Sequence, residues 1–204
     1  MFSAFKSSFQ ALNTRGFLKT ISAIFYHCLS FILKSFGMKY LRKKIFNYEM
    51  YLDLYDRGIS RTLILFGERE LEHKRIIEMI LKPGMNVLDI GANIGYYALM
   101  QLKIIGDKGQ LIAVEPSETN IKLLRKNLNL NGYNNIKIHH KAVSNISGKK
   151  KLYLSEMSNL NTFHKPQNIN NLHLSGKTLL VKTTTVPELL SENFDLNLIR
   201  MDVE

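Results

Sequence analysis

The feature that most constrains the fold is a glycine turn between a short apolar run and an apolar helix start. It lies in NVLDIGANIGYYAL, from Asn86 to Leu99, and carries Gly91 and Gly95 four residues apart. An ordinary strand-to-helix turn needs at most one residue without a side chain. The second glycine therefore predicts that a ligand approaches the backbone at this turn.

The segments around this turn alternate between helix and strand patterns. The predicted order is helix Glu70–Lys82, strand Asn86–Ile90, helix Tyr96–Ile104, strand Gln110–Glu115, a helix capped by Ser117, strand Asn135–His139 and, later, strand Leu198–Val203. The apolar face of the first helix is expected to comprise Ile76, Ile77, Ile80 and Leu81. Strands linked by right-handed helical crossovers predict an α/β fold with a doubly wound, mostly parallel, Rossmann-like sheet.

The region between the last two of these strands does not show the alternation of helix and strand patterns. Ala142–Ile146 and Lys149–Leu154 are separated by Ser147–Gly148, which predicts a β-hairpin. Met157–Gly176 is polar and rich in asparagine, so it is expected to form a long loop. Lys177–Thr185 is again typical of a strand.

Polar residues cluster where the first two sheet strands are expected to end. Open α/β sheets bind ligands at this edge, so Gly91 and Gly95 lie at the predicted site. Asn93 tolerates a left-handed backbone and can donate from its side chain. Asp89 can accept hydrogen bonds from the turn amides or from a ligand ammonium group. Glu115 follows Gly91 by 24 residues, close to the position, roughly 20 residues on, of an acid that accepts ribose hydroxyls.

The spacing of the glycines narrows the ligand class. Nicotinamide cofactors normally require G-x-G-x-x-G, whereas this turn is G-x-x-x-G. A ligand with a ribose but no phosphate fits better, and S-adenosylmethionine meets that description. The single cysteine, Cys28, excludes an internal disulfide framework and a cysteine-based zinc site, and no spacing in the chain predicts any other metal site.

Positive charge is concentrated at the start of the chain. Residues 1–50 contain eight Lys or Arg residues against one acid, Glu49, which gives +7 of the total +11. Thr20–Leu33 has no charged residue and reaches only ~21 Å as a helix, short of a hydrocarbon core of ~30 Å. Two interpretations stay open: a cationic amphipathic helix on an anionic membrane surface, or a helical extension packed on its own domain.

The predicted organisation is therefore a basic helical extension over residues 1–47 and a cofactor-binding domain over residues 48–204. The expected localisation is cytoplasmic, with peripheral membrane contact through residues 1–47. A nucleic-acid partner is not expected, because a nucleic-acid enzyme more often distributes its positive charge around a substrate groove.

Four segments together resemble the FkbM-type S-adenosylmethionine-dependent methyltransferases: VLDIGANIGYYAL, AVEPSETNIKLLRKNLNLN, KAVSNISG with its following strand, and DLNLIRMDVE. The resemblance covers about Met50 to Glu204. It implies that the methionine portion of the cofactor is held by Asp89, Gly91, Asn93 and Gly95. It also implies that Glu115 binds the ribose, that Ala142 and Val143 border the adenine, and that Asp202 and Glu204 face the methyl group.

The family typically methylates oxygen, often on a sugar hydroxyl or a related natural-product alcohol. The leading hypothesis is thus an O-methyltransferase that acts on a glycan or glycolipid hydroxyl. Asp202 is the first candidate for the proton acceptor and Glu204 the second, although both can serve a structural role instead. His139, His140 and His164 are expected at the surface, with a substrate role for His164 left open.

Two other functions remain as alternatives. RNA methylation predicts an N-P-P-Y-like strand end and a distributed basic face. A non-catalytic cofactor-fold or membrane-bound interaction module is the second alternative. In the family, the sheet continues past MDVE and the next residue is usually glycine. The resemblance therefore implies a fragment or a prematurely terminated reading frame, incomplete after its fourth core strand, which is expected to fold poorly and to show little turnover.

Overall fold

The computed structural model describes residues 16–133, 136–155, 157, 160–164, 174–190 and 194–203. The chain divides into two compact units, Met1–Arg69 and Glu70–Glu204. This division lies downstream of the predicted boundary at residue 47. The strand that ends at Ile45 pairs with the strand that begins at Tyr48, so residues on both sides of the predicted boundary belong to one unit.

The described residues of the first unit form two helices and a β-hairpin. Helix α1 spans Phe17–Ser35, strands β1 and β2 span Tyr40–Ile45 and Tyr48–Asp53, and helix α2 spans Ile59–Phe66. The two strands pair in antiparallel register. The predicted helical extension over residues 1–47 therefore holds, among the described residues, only for α1. Residues 40–45 are extended because they complete a ladder with β2.

Helix α2 is capped by a carboxylate upstream of its first turn. Asp56 accepts hydrogen bonds from the amides of Gly58 at 3.0 Å and Ser60 at 2.8 Å. Asp56 satisfies two amides that have no acceptor within the helix. Ser60 itself lies inside the helix and is fully buried.

The second unit follows the predicted alternation of helices and strands. Its elements are α3 (Leu71–Ile80), β3 (Val87–Ile90), α4 (Tyr96–Ile105), β4 (Leu111–Val114), α5 (Glu118–Leu130), β5 (Ile136–His139), β6 (Ala142–Val143), β7 (Gly148–Ser155), β8 (Leu174–Thr184), α6 (Val186–Leu189) and β9 (Leu198–Met201). The central sheet has the order β5-β4-β3-β9, and every neighbouring pair is parallel. The predicted α/β fold with a parallel, Rossmann-like sheet is confirmed.

The two central strands are buried on both faces, as expected for a parallel sheet covered by other elements. One core cluster is formed by Leu88, Ile90, Ile112, Val114 and Leu189. Burial of each large side chain contributes about 1.5–3 kcal/mol relative to exposure. On α5, Ile121, Leu124 and Leu128 are buried, and the hydroxyl of Ser117 caps the helix as predicted.

The predicted hairpin between residues 142 and 154 is wrong. Strand β8 lies between β6 and β7, parallel to the former and antiparallel to the latter. With only two residues, β6 offers few ladder hydrogen bonds, whereas the eleven-residue β8 pairs along most of β7. Residues 174–176 of the predicted loop belong to β8, while residues 158–159 and 165–173 lie outside the described residues.

The predicted apolar face of the helix before β3 is only half right. Ile77 and Leu81 are buried, but Ile76 and Ile80 are about half exposed. The spacing of apolar residues predicted a helix with an apolar side. It did not predict how many of these residues other elements of the fold would bury.

Candidate active site

The glycine turn between β3 and α4 has three residues in the left-handed region. Gly91, Asn93 and Gly95 have φ values of 81°, 49° and 94°. Asn93 stabilises its own strained position, because its side-chain oxygen accepts a hydrogen bond from the Ile94 amide at 2.8 Å. The Asn93 amide donates to Oε2 of Glu115 at 2.9 Å, which ties the turn to the end of β4.

The structure corrects the reason for the two glycines. A Cβ on Gly91 would lie 2.2 Å from the backbone oxygen of Asp202, and one on Gly95 would lie 2.7 Å from Cδ1 of Leu124. The space above each glycine is therefore occupied by the chain itself, at the end of β9 and on α5. Close packing within the protein, together with positive φ, requires glycine at both positions.

Most amides inside the turn are also used internally. The amides of Gly91 and Ala92 both donate to the Val114 carbonyl, and the Gly95 amide donates to the Ala92 carbonyl. Helix α4 has no side-chain cap at Gly95, and its first backbone bond runs from the Leu99 amide to the Gly95 carbonyl. Helix α4 therefore begins with amides that lack an acceptor within the helix, and such amides at a helix start are the backbone donors that suit an anionic ligand group.

Glu115 organises the end of β4. Its Oε1 accepts from the Ser117 amide at 2.9 Å and from the side chain of Asn120 at 3.1 Å, while Oε2 accepts from Asn93. The residue is only 4% exposed. Burial raises the pKa of Glu115 to about 7, against the opposing effect of these hydrogen bonds. A carboxylate has about four acceptor positions, so three donors leave one on Oε2.

Arg200 is a site residue that the sequence reasoning missed. Its Nη1 donates to Oδ1 of Asp89 at 3.0 Å, and its Nη2 donates to Oδ2 of Asp202 at 2.6 Å. The guanidinium carbon lies 3.9 Å from the centre of the Tyr97 ring. One side chain therefore links the ends of β3 and β9 with the first turn of α4.

A signal for this residue existed in the sequence. Arg200 interrupts the otherwise apolar strand pattern LIRMDV, and a charge buried in a sheet needs a partner of opposite charge. The partner, Asp89, is 111 positions away along the chain and directly opposite Arg200 in the parallel ladder. Only the register of the two strands identifies that pair.

The carboxylate of Asp89 is completely buried. Burial raises its pKa, and the adjacent Arg200 guanidinium opposes that rise. No described group meets Oδ2 of Asp89 at hydrogen-bond distance, but the buried amide of Gln101 lies close enough to this carboxylate to lower its pKa. Next to Arg200, the Tyr97 hydroxyl donates to Glu70 at 2.6 Å, and burial with this carboxylate raises the pKa of Tyr97.

Most predicted cofactor residues and one predicted catalytic residue meet at the carboxyl edge of the sheet. They are Asp89, Gly91, Asn93, Gly95, Glu115 and Asp202. Asp202 directly follows β9; its amide donates to the Ile90 carbonyl at 3.1 Å and its side chain is 60% exposed. Glu204, the second candidate for the proton acceptor, lies outside the described residues.

The two residues expected to border the adenine form β6. Ala142 and Val143 pair with Thr183 and Thr184 of β8. Val143 packs against the core cluster beneath β3 and β4, whereas Ala142 packs with Leu152 in a second cluster. Among the described residues, no hydrogen bond joins Ala142 or Val143 to Glu115. That these two residues border the adenine remains a prediction.

The histidine pair after β5 is not uniformly exposed. No described residue bonds to the buried Nε2 of His139, and burial together with Lys137 and Lys141 lowers the pKa of its ring. The Nε2 atom of His140 is 3.0 Å from the Pro116 carbonyl oxygen. Both rings lie at strand ends beside the Glu115 segment, because the Glu115 amide donates to the His139 carbonyl.

The family model described as "Methyltransferase FkbM domain" matches residues 89–204, more than half of the chain. The match begins at Asp89 and includes the glycine turn, Glu115 and Asp202. It confirms the predicted family, whose cofactor is S-adenosylmethionine.

Shorter similarities extend to other methyltransferases. The protein-L-isoaspartate O-methyltransferase of Methanococcus vannielii is 41% identical over 61 residues, which are 30% of this chain and 29% of that protein. Its counterpart in Methanothermobacter thermautotrophicus is 43% identical over 60 residues, 29% and 28% of the two chains. A crystal structure of a SAM-dependent methyltransferase from Aquifex aeolicus is 31% identical with a TM-score of 0.30, covering 33% and 36%. The chain spans less than a third of the length of these two curated relatives.

Proposed function

Because the chain belongs to the FkbM methyltransferase domain family, we propose that it transfers a methyl group from S-adenosylmethionine to a hydroxyl oxygen of a sugar, glycolipid or related natural product. When bound, the cofactor supplies an electrophilic methyl group on a sulfonium sulfur. The protein must align the acceptor oxygen, exclude water and take up the hydroxyl proton.

The residues at the sheet edge fit this cofactor. Glu115 keeps one acceptor position on Oε2, which suits one ribose hydroxyl without displacing an internal donor. The uncapped start of α4 provides amides for the carboxylate of the methionine portion. The negative charge of Asp89, which is completely buried beside Arg200 and the amide of Gln101, matches the ammonium group in sign. In this proposal Ala142 and Val143 border the adenine.

The observation that carries the proposal is the exposed carboxylate of Asp202 beside the buried Asp89. Arg200 holds Oδ2 of Asp202 at 2.6 Å and so fixes the side chain at the end of β9. The other oxygen of Asp202, Oδ1, receives no hydrogen bond from a described residue. In this proposal, Oδ1 accepts the hydroxyl proton. Arg200 acts here as a positioning residue, since it orients Asp202 and also pairs with Asp89.

Two conservative variants separate cofactor binding from chemistry. Calorimetric titration of the 204-residue chain with S-adenosylmethionine should give at least about tenfold weaker binding for Glu115→Gln, because a hydrogen bond to a charged acceptor is lost. Asp202→Asn should bind the cofactor as the wild type does and lose most transfer. Equal binding by wild type and Glu115→Gln contradicts the assignment of Glu115.

The acceptor class needs its own assay. Transfer from methyl-labelled cofactor should be compared across simple glycosides, a glycolipid and an RNA transcript, with Asp202→Asn as the matched control. Label on the glycoside or glycolipid that disappears in the variant supports the proposal. Label on RNA alone refutes the hydroxyl assignment, and a chain that binds no cofactor is a non-catalytic module.

A further inference from the structure

Helix α1 packs against its own unit through its less apolar side. Thr20 on this inner side is only 5% exposed. Tyr26 lies under the ammonium group of Lys43, with Nζ 3.6 Å from the ring centre, and the same Nζ donates to the Ile64 carbonyl at 2.5 Å. Near the start of the helix, Lys19 forms an ion pair with Glu68. The inner side therefore has its polar contacts within the first unit.

The opposite side of α1 is strongly apolar and exposed. We call it the outer face; it comprises Phe17, Leu18, Ile21, Ile24, Phe25, Phe31 and Ile32, with Phe36 and Met38 just after the helix. Phe25 is 61% exposed and Phe31 is 75% exposed. These residues recur at helical spacing, so they form one stripe. A surface helix of a soluble domain has the reverse arrangement, and an exposed apolar stripe of this kind marks an interaction site.

The charge around the outer face indicates what covers it. Residues 1–48 contain eight Lys or Arg residues and no Asp or Glu. Lys34 in the last turn and Lys39 just after the helix border Phe36 and Met38 along the chain. Their ammonium groups also make contacts within the first unit, 5.1 Å from the centre of the Tyr55 ring and 4.0 Å from Asp53. Apolar side chains bordered by cations match a bilayer whose headgroups are anionic, where the side chains enter the acyl boundary and the cations meet phosphates and carboxylates.

We propose that the outer face of α1 docks flat on an anionic lipid bilayer, such as the cytoplasmic leaflet of a membrane, and makes the protein a peripheral membrane protein. The occupant of the face is the lipid surface. This inference does not depend on the methyl-transfer proposal, because every contact that carries it lies within the first unit.

A flat orientation follows from the contacts of the inner side. Among the described residues, α1 is long and apolar enough to cross a membrane, at 19 residues or about 28 Å. A spanning helix, however, is surrounded by lipid on all sides. That orientation would break the Lys19–Glu68 ion pair and the contact between Tyr26 and Lys43. Lying on the surface keeps both contacts and buries only the outer face.

Tryptophan probes can measure the depth of the helix, because the chain contains no tryptophan. Single variants Phe17→Trp, Phe25→Trp and Phe36→Trp place a probe at the two ends and near the middle of α1. They are mixed with phosphatidylcholine vesicles with and without phosphatidylserine, and quenched by lipids brominated at different depths. We expect phosphatidylserine-dependent binding and the same shallow depth for all three probes. A deep middle probe between shallow end probes indicates a spanning helix and overturns the proposal.

Charge substitutions test whether the outer face makes the contact. Phe25→Asp with Phe31→Asp should weaken binding to the phosphatidylserine vesicles by about 100-fold, since two aromatic side chains no longer enter the bilayer. The matched control, Ile146→Asp with Leu180→Asp, changes two exposed apolar residues of the second unit and adds the same charge. It should weaken binding by less than about threefold.

The remaining outcomes also decide the question. If both double variants lose binding equally, net charge alone drives the association and the outer face is not the contact. If the chain does not bind either kind of vesicle, the proposal fails. In that case analytical ultracentrifugation shows whether a second copy covers the face, as a dimer that the Phe25→Asp, Phe31→Asp variant dissociates. Circular dichroism of each variant verifies that the helix is intact.

Discussion

Replacing Gly91 with alanine tests whether the glycine turn is required by the protein's own packing. The new Cβ would lie 2.2 Å from the Asp202 carbonyl oxygen, whereas real Cβ atoms approach no closer than about 3.0 Å. The oxygen must therefore move by about 0.8 Å (3.0 − 2.2). It belongs to backbone that the hydrogen bond from the Asp202 amide to the Ile90 carbonyl holds in place, so the end of β9 must shift with it.

The expected cost is the sum of two effects. A left-handed conformation costs an alanine about 1–2 kcal/mol, partly offset by the lower entropy of the unfolded chain. Overpacking against fixed backbone adds about 1–3 kcal/mol. Gly91→Ala should thus lower the free energy of unfolding by about 2–4 kcal/mol. Gly132→Ala is the matched control, because φ at Gly132 is 77° but nothing lies within 4 Å of the added Cβ, so only about 1 kcal/mol is expected.

A third variant, Gly95→Ala, should have an intermediate effect on stability. The Cβ of Gly95→Ala would meet Cδ1 of Leu124 at 2.7 Å, but a side-chain end can rotate away, so its cost should fall between the other two. Urea unfolding followed by far-ultraviolet circular dichroism measures all three, with unchanged m-values as the check on comparable unfolding. Equal destabilisation by Gly91→Ala and Gly132→Ala would refute the reasoning, since the contact with Asp202 would then carry no cost.

Other predictions concern the polar groups of the site. The pKa of Glu115 is near 7 in the folded chain against 4.5 ordinarily, so the contribution of this group to stability is complete below about pH 4.5 and falls by up to about 3 kcal/mol as pH rises through 7; Glu115→Gln should remove this trend in urea titrations at several pH values. Arg200→Met leaves the Asp89 carboxylate buried and unpaired, which should cost about 3–5 kcal/mol, and adding Asp89→Asn should recover part of it in the same assay. Tyr97→Phe removes a hydrogen bond to Glu70 and should cost about 1–2 kcal/mol in thermal unfolding.

Much of the central sheet could be predicted because its signals are local. Four-residue apolar strands, the spacing of apolar residues on α5 and the cap at Ser117 each depend on a few neighbours along the chain. The edge at which Asp89, Glu115 and Asp202 meet then follows from the parallel order of the strands. The sequence therefore predicted that these residues meet at the carboxyl edge of the sheet, while their roles in binding and catalysis stay predictions.

The contacts inside the site were harder to predict, since they depend on register and packing. Arg200 meets Asp89 only because β9 lies directly beside β3 in the ladder. The role of the glycines could not be read from the turn itself, because Asp202 and Leu124 come from distant segments. In the same way, β8 separates β6 from β7 although the short linker between the latter two favours a hairpin.

Helix α1 is the clearest example of what the sequence predicts and what it does not. The sequence by itself determined that Thr20–Leu33 form an apolar helix flanked by cations, because propensity and charge are properties of the segment. It also determined the parallel sheet and the family to which residues 89–204 belong. Only the tertiary structure decided which side of α1 packs against its own unit and that Arg200 links two carboxylates. Those choices arise from the free energy of contacts between segments far apart in the chain, which local patterns do not encode.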